Sequence, residues 1–314
     1  MNAATFHEGE VAMQERAGAR AKLAEIGPRV IRDHMPDQHR EFFAQLPFIV
    51  AGTIDADGQP WASVLAGEPG FVTAPNPRRL VVRGRPLAHD PLAANLKGGA
   101  PLGLLGIEPH TRRRNRLNGW VAGLGEDGFE VDVGQSFGNC PKYIQARRPE
   151  FTGKALQPQA AQVLHALDEP ALALIGRADT FFIATAHPQA GRIDAPAFGV
   201  DVSHRGGKPG FVRVRDGVLT VPDFIGNAFF NTLGNLALNA RCGLLFMDFD
   251  AGDLLQVAAR CEIIHDGPEV NSFQGAQRLM RFHLVSAQRL PRALPLRWGD
   301  AELSPVLEAT GSWR

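Results

Sequence analysis

Short identical segments recur along the chain at one constant spacing. Pro69-Gly70-Phe71 matches Pro209-Gly210-Phe211, and Gly103-Leu104-Leu105 matches Gly243-Leu244-Leu245, with the members of each pair 140 residues apart. The other matches at this spacing pair Ser63 with Ser203, Gly67 with Gly207, and Asn95-Leu96 with Asn235-Leu236. A spacing that holds over ~40 positions without a gap indicates a tandem duplication, so both copies should share one fold. Two unrelated β domains with similar turns are the alternative.

Each copy is predicted to consist mainly of strands. FIVAGTID at 48–55 runs into an Asp57-Gly58 hairpin turn, and Asp216-Gly217 joins short strands at 211–214 and 218–221. Further predicted elements are a buried strand at 242–247, a closing strand at 279–290, a helix that opens at Asp90-Pro91, and a helix from an Asn227 N-cap to Asn239. Phe48-Ile49 matches Phe182-Ile183 at a spacing of 134, which predicts six extra residues in the second copy near 187–196.

The chain divides into four predicted segments. Residues 1–45 form a helical segment of two helices, with a break at Gly27-Pro28. Residues 46–150 form the first copy, 151–175 a helical linker with its helix over 155–174, and 176–314 the second copy, whose tail after residue 290 is irregular.

Composition and charge narrow the functional classes. The chain has 314 residues, 44% of them hydrophobic, which is enough for a sizeable core. Lys+Arg and Asp+Glu both number 33, so no global field favours nucleic acid or an anionic membrane. The three cysteines, Cys140, Cys242 and Cys261, contain no close pair and predict neither a disulfide framework nor a metal cluster. With no apolar leader and no window of transmembrane length, the expected location is the cytoplasm.

Three segments of the second copy resemble a known family. They are SHRGGKPGFV at 203–212, PDFIGN at 222–227 followed by NTLGNL at 231–236, and GLLFMDF at 243–249. Together they resemble the pyridoxamine 5'-phosphate oxidase-related FMN-binding proteins, which are split-barrel flavoproteins. The resemblance implies two tandem split β-barrels of antiparallel strands in Greek-key order, related by a pseudo-twofold axis, with FMN bound across their interface.

The same resemblance implies which residues hold the cofactor. Ser203, Arg205 and Asn227 are the leading candidates for the FMN phosphate, because a basic turn and a helix N-terminus both suit an anion. The wider set of implied cofactor-binding residues is Ser203, His204, Arg205, Asp223, Gly226, Asn227 and Asn235. The first copy has Val64-Leu65-Ala66 where the second has His204-Arg205-Gly206, so one complete phosphate site per chain is expected. His204 has an equally good structural interpretation, as a turn residue that caps the backbone.

An arginine cluster in the first copy is a second candidate site. Arg112, Arg114 and Arg116 alternate along a predicted strand, so they share one face and form either a pocket for an anion or a solvated strand edge. The segment SFGNCPKYI at 136–144 is also typical of the family, which favours the pocket and adds Asn139, Cys140 and Tyr143 to it. For Cys140 a turn that covers the flavin ring is favoured over a catalytic thiol, since no histidine lies in the motif.

Two functional hypotheses follow. The first is an FMN-dependent oxidoreductase of the pyridoxamine 5'-phosphate oxidase type that acts on a small-molecule substrate, as a homodimer and with a separate reductase as a possible electron source. The second is a non-catalytic module that binds flavin, haem or deazaflavin. The C-terminal segment lacks the arginine–histidine substrate signature of the vitamin B6 enzymes, so the substrate is not indicated. No metal site is expected.

Overall fold

The computed structural model describes residues 4–153 and 158–313. Seven helices are present in this part of the chain: α1 Glu8–Arg16, α2 Arg20–Val30, α3 Asp37–Ala44, α4 Leu92–Asn95, α5 Glu169–Arg177, α6 Asn231–Leu238 and α7 Pro268–Asn271. Two short 3-10 helices, Pro109–Thr111 and Pro305–Ala309, complete the helical elements there. No helix in these two ranges is long and apolar enough to cross a membrane.

Strands make up the two large sheets. The first copy contributes β1 Phe48–Ile54, β2 Pro60–Ala66, β3 Val72–Asn76, β4 Arg79–Val82, β5 Pro101–Glu108, β6 Arg113–Gly125 and β7 Gly128–Gly138. The remaining strands are β8 Pro149–Phe151, β9 Gln162–Leu164, β10 Thr180–Ala186, β11 Val200–Gly206, β12 Arg213–Arg215, β13 Val218–Phe224, β14 Arg241–Met247, β15 Leu254–Ile264, β16 Ala276–Leu290 and β17 Leu296–Trp298. β8 and β17 pair in a small third sheet.

The two large sheets have the same topology. Their strand orders are β2-β1-β5-β6-β7-β4-β3 and β11-β10-β14-β15-β16-β13-β12, with antiparallel neighbours throughout. Each strand of the first order corresponds to the strand at the same place in the second order, for example β2 to β11 and β6 to β15. The predicted fold class, mainly β with two tandem split barrels, is therefore confirmed.

Equivalent glycines mark the pseudo-twofold axis between the sheets. Gly103 packs so closely on the second copy that an added Cβ would overlap the backbone carbonyl of Val200. Its equivalent 140 residues later, Gly243, would overlap the carbonyl of Pro60, which is the equivalent of Val200. The contact is thus reciprocal, as it is in an isologous dimer, and the repeated Gly-Leu-Leu is explained by backbone packing across this interface.

The sheet register corrects the predicted insertion. His204 pairs with Phe182 in β11–β10, and its equivalent Val64 pairs with Val50 in β2–β1. Phe182 therefore corresponds to Val50 and not to Phe48, at a spacing of 132. The second copy has eight extra residues rather than six, all in the loop 187–199 that replaces the tight turn 55–59.

Helical predictions near the chain start and the linker were partly wrong. Residues 1–45 contain three helices and not two, and α2 continues through Gly27-Pro28 with the proline inside its last turn. The linker prediction of a helix over 155–174 begins outside the described residues, at 155–157. Within them it fails at 162–164, which form β9 and pair with β16, while α5 starts only at Glu169. Asp168 caps α5 by accepting from Ala171 N at 3.0 Å, which explains that start.

Four hydrophobic clusters stabilise this arrangement. One fills each barrel, a third lies between the two sheets around Phe48, Phe182 and Leu245, and a fourth joins α1 and α2 to Phe137 and Phe229. The third cluster packs the two copies against each other. The fourth packs the N-terminal helices against the edge of the interface between the copies.

Candidate functional site

A cavity of about 260 Å³ lies at the interface of the two copies. The first copy contributes β5, β6 and the segment after β7, and the second contributes β11, β13, β16, the loop 225–230 and the start of α6. The turn between α1 and α2 forms part of the rim. The cavity is a composite site that neither copy could form alone.

Strand alternation directs two of the three predicted arginines into the cavity. Arg114 and Arg116 both line it from β6. Arg112 does not, because it precedes the strand in a left-handed conformation with φ of 55° and turns away to Ile144 O and Glu302. The prediction that the three share one face was therefore wrong at Arg112.

Arg116 crosses from the first copy into the second. Its Nη1 donates to Asp201 Oδ1 at 3.0 Å and to Asn231 Oδ1 at 2.8 Å, and its Nη2 donates to Ser203 Oγ. The side chain is 4% exposed, yet its Nε has no hydrogen-bond partner within residues 4–153 and 158–313. A buried guanidinium that lines a cavity and has a spare donor is suited to complete its bonding with a ligand.

Alternation along β11 separates its three predicted residues. Ser203 and Arg205 lie on the cavity face, whereas the His204 ring packs edge-on against Phe182 at 5.7 Å in the core between the sheets. Burial, followed by Arg114 and two further arginines, holds the pKa of His204 well below its usual range. The imidazole is therefore neutral, and only its carbonyl, which accepts from Arg114 Nη1 at 3.3 Å, serves the cavity wall.

Asp223 lies between two arginines at the opposite wall. Its Oδ1 accepts from Arg205 and its Oδ2 from Arg278, at 2.8 Å for the latter. Arg278 was missed by sequence reasoning, because it lies on β16 outside every motif and reaches the site only through its cross-strand pairing with Asp223. Arg205 keeps a buried Nε for which the described residues offer no partner.

The start of α6 differs from its prediction. The helix begins at Asn231, and its N-cap is Phe230 in a left-handed conformation with φ of 63°, so Asn227 is not the cap. Asn227 instead closes a local turn by accepting from Phe229 N at 3.1 Å, and with Gly226 it lines the cavity. No side chain of the described part of the chain caps α6. The first residues of α6, Asn231, Thr232 and Leu233, line the cavity, and no side-chain cap among the described residues accepts from their amides.

Asn235 lies behind the site and not in it. This fully buried residue donates to Asp201 Oδ2 at 2.9 Å and to Thr185 Oγ1 at 3.2 Å. Because Asp201 also accepts from Arg116, Asn235 supports the arginine and does not line the cavity.

The segment after β7 closes one side of the cavity. Cys140 O accepts from Arg114 Nε at 2.7 Å, and the Tyr143 hydroxyl donates to Ile225 O at 3.2 Å. The Tyr143 ring lies 5.0 Å from the Phe224 ring with an interplanar angle of 30°. Asn139 also lines the cavity, and its Nδ2 lacks a partner among the described residues. This wall is aromatic and suits the edge or face of a planar ring.

The lining side chains are strongly cationic. Five of those described carry positive charge, and Asp223 is the one carboxylate among them: the cations are Arg114, Arg116, Lys142, Arg205 and Arg278. Burial, followed by the neighbouring Arg116 and Arg205, lowers the pKa of Arg114 to about 9. An anion bound here would relieve that mutual repulsion.

The pseudo-twofold partner of this site is closed. Gln256, the equivalent of Arg116, donates from Nε2 to Ser63 Oγ at 3.3 Å and to Asp90 Oδ2 at 3.2 Å. Ser63, the equivalent of Ser203, donates to Asp90 Oδ1, which also accepts from Leu92 N at 2.9 Å. A carboxylate of the chain itself thus fills the place where the first site offers free donors.

One group of possible metal ligands lies elsewhere. His7, Glu8 and His187 bring three ligand atoms within 4.8 Å of one another. However, Nδ1 of each histidine accepts from a backbone amide, that of Gly9 for His7 and that of Gln189 for His187, so Nδ1 is unprotonated and the ring proton lies on Nε2. Metal binding through Nε2 would need the opposite tautomer, and this arrangement therefore disfavours it.

Parts of the chain are similar to known proteins. Residues 35–164 match the family model described as pyridoxamine 5'-phosphate oxidase. One similar solved structure is a FAD-binding protein from Mesorhizobium loti, with 11% identity, coverage of 42% of this chain and 99% of that chain, and a TM-score of 0.29. Another is the haem storage protein HutZ from Vibrio cholerae, with 13% identity, coverage of 40% of this chain and 95% of that chain, and a TM-score of 0.28. A FAD-binding protein from Mycobacterium smegmatis is also similar, with 10% identity, coverage of 42% of this chain and 98% of that chain, and a TM-score of 0.27. A search of curated proteins gives no match.

Proposed function

We propose that the chain, whose residues 35–164 match the pyridoxamine 5'-phosphate oxidase family model, binds one FMN in the composite cavity and acts as an oxidoreductase on a small organic molecule. The observation that carries this proposal is Arg116, which is buried, crosses from the first copy to Asn231 at the start of α6, and has an Nε donor with no partner in the described part of the chain. FMN would supply the redox chemistry, and the protein would supply anchoring, orientation and exclusion of water.

The cationic end of the cavity fits a phosphate. Ser203 Oγ already accepts from Arg116 and from Thr232 Oγ1, so its own proton is free for a ligand oxygen. Arg205, the uncapped amides that begin α6 and the Nε of Arg116 are the other donors. Asn227 loses the helix-cap role predicted for it and is assigned here to the cavity rim.

The aromatic wall fits the isoalloxazine ring. Tyr143 and Phe224 offer two aromatic rings tilted by 30° to one another, and the Asn139 amide, which has no partner among the described residues, is a donor of the kind that flavin oxygens accept. Cys140 contributes its carbonyl to the wall through Arg114, which supports a positioning role over a nucleophilic one.

The closed partner site explains why one cofactor per chain is proposed. Asp90 takes the donors of Ser63 and Gln256, and Leu65 stands where the functional site has Arg205. A phosphate there would have to displace a buried carboxylate of the same charge sign.

The test is a flavin fluorescence titration of apoprotein. Arg205→Ala removes one charge-assisted bond worth about 1.5–3 kcal/mol, so FMN affinity should fall about tenfold to a hundredfold. Asp223 stays paired with Arg278 in this variant, which protects the fold. Arg112→Ala is the matched control from the same arginine cluster, and Leu65→Ala is the control from the closed site; both should bind FMN nearly as the parent does.

Two results would contradict the proposal. One is equal FMN affinity in Arg205→Ala and the parent together with unchanged affinity in Arg116→Lys, which keeps the charge but cannot reach three partners at once. The other is a Soret band from purified protein, which would favour the non-catalytic haem module. A deazaflavin would be recognised by the mass of the released cofactor.

A further inference from the structure

The N-terminal helix α1 lies antiparallel on α6. At the start of α1, Gly9 packs so closely that an added Cβ would overlap the Gly234 carbonyl, in the second turn of α6. At its end, Gln14 Nε2 donates to Phe229 O at 3.3 Å, just before α6 begins. The last turn of α1 is therefore placed at the N-terminus of α6.

Several contacts fix α1 in this position. Glu10 accepts from Asn231 Nδ2 at 2.5 Å and from His7 N at 2.9 Å, inside the protein. Phe6 packs on Phe229 with ring centroids 5.9 Å apart. Arg16 reaches Asp266 at 3.2 Å on the surface. Buried polar and aromatic contacts at several points along α1 indicate a fixed wall.

This wall ends at the cavity. Ala17 and Ala19, in the turn between α1 and α2, line the cavity beside Ala228 and Phe230. The turn thus lies next to the first amides of α6, which is the end of the cavity assigned above to the phosphate. Ala17 and Ala19 therefore form the cavity wall at that end.

We propose that the α1–α2 turn, residues 17–19, determines ligand length and restricts the site to flavins that end at the first phosphate. A mononucleotide whose phosphate occupied the cationic end would stop before this turn. A dinucleotide continues from that phosphate into an adenylate group, which would overlap the turn. The proposal rests on the proposed FMN function and deepens it.

The first experiment compares three flavins on the parent apoprotein. FMN should bind at least about tenfold more tightly than FAD, and riboflavin should bind more weakly than FMN because it lacks the phosphate. FAD affinity equal to or above that of FMN overturns the proposal while leaving flavin binding intact. Failure of all three flavins to bind removes the proposed function itself, and this proposal with it.

A second experiment localises the turn. Ala19→Phe adds bulk at the cavity end, so FMN affinity should fall about tenfold while riboflavin affinity changes about threefold or less. Ala12→Phe is the matched control, since Ala12 is exposed on α1 and does not line the cavity. Equal losses for FMN and riboflavin in Ala19→Phe would place the turn at the ring end and refute the assignment.

Discussion

Asp90 offers a sharp test of the closed partner site. Its side chain is buried, and burial raises its pKa from 3.8 to about 6, although Ser63, Leu92 N and Gln256 all donate to the carboxylate. A pKa that is raised on folding stabilises the protein below pH ~4, and this stabilisation is lost as the pH rises through about 6. Asp90→Asn removes the titration while keeping the size of the side chain.

The magnitude follows from the two pKa values. A rise of the Asp90 pKa from 3.8 to about 6 corresponds to about 3 kcal/mol of unfolding free energy between the acid and alkaline limits. About half of this change has already developed at pH 5. Between pH 5 and pH 8 the free energy of unfolding of the parent should therefore fall by about 1.4 kcal/mol relative to Asp90→Asn.

Urea unfolding at a series of pH values measures this difference. The buried histidines act equally in both proteins and cancel in the comparison. Ser63→Ala provides a second arm, because losing a donor to the carboxylate raises the Asp90 pKa further and should widen the pH-dependent gap. Parallel stability curves for the parent and Asp90→Asn would refute the interpretation that Asp90 is a buried, partly neutral carboxyl that closes this site.

Three further predictions concern the interface, acid stability and assembly. Gly103→Ala and Gly243→Ala should each lower the free energy of unfolding by about 1–3 kcal/mol because the new Cβ overlaps a carbonyl of the other copy; Gly98→Ala, with open space around it, is the control, and similar losses in all three would contradict the reciprocal contact. Burial lowers the pKa of His7 to about 4, so the neutral ring contributes stability above pH 6.5 that is lost as the pH falls through 4. The free energy of unfolding of His7→Gln, measured with denaturant, should therefore fall less steeply in acid than that of the parent, by up to about 3 kcal/mol. An unchanged dependence on acid pH would show that the ring is already solvated. Light scattering should give the mass of a homodimer at micromolar concentration, and the mass of a single chain would reverse this proposal.

The sequence by itself determined the duplication and the fold class. Gly-Leu-Leu and Pro-Gly-Phe recur at a fixed spacing because both copies need the same turn and the same backbone contact. Such local requirements restrict which residue types are allowed at a position, so the sequence shows them. The hairpin at Asp216-Gly217 followed for the same reason, since φ values of 50° and 75° require those residue types. Register was harder, because a match of two residues at Phe182-Ile183 cannot reveal which strand positions actually pair.

Tertiary structure decided the composition of the site. Strand alternation predicted that Arg114 and Arg116 share a face, but only packing of the two copies brought Arg116 to Ser203 and turned Arg112 toward Glu302. Arg278 and the α1–α2 turn carry no local signal of their role, because each reaches the cavity through partners far away in the chain. A motif reflects the local conformation that a segment must adopt. A site between two copies depends on contacts between distant segments, which no single motif specifies.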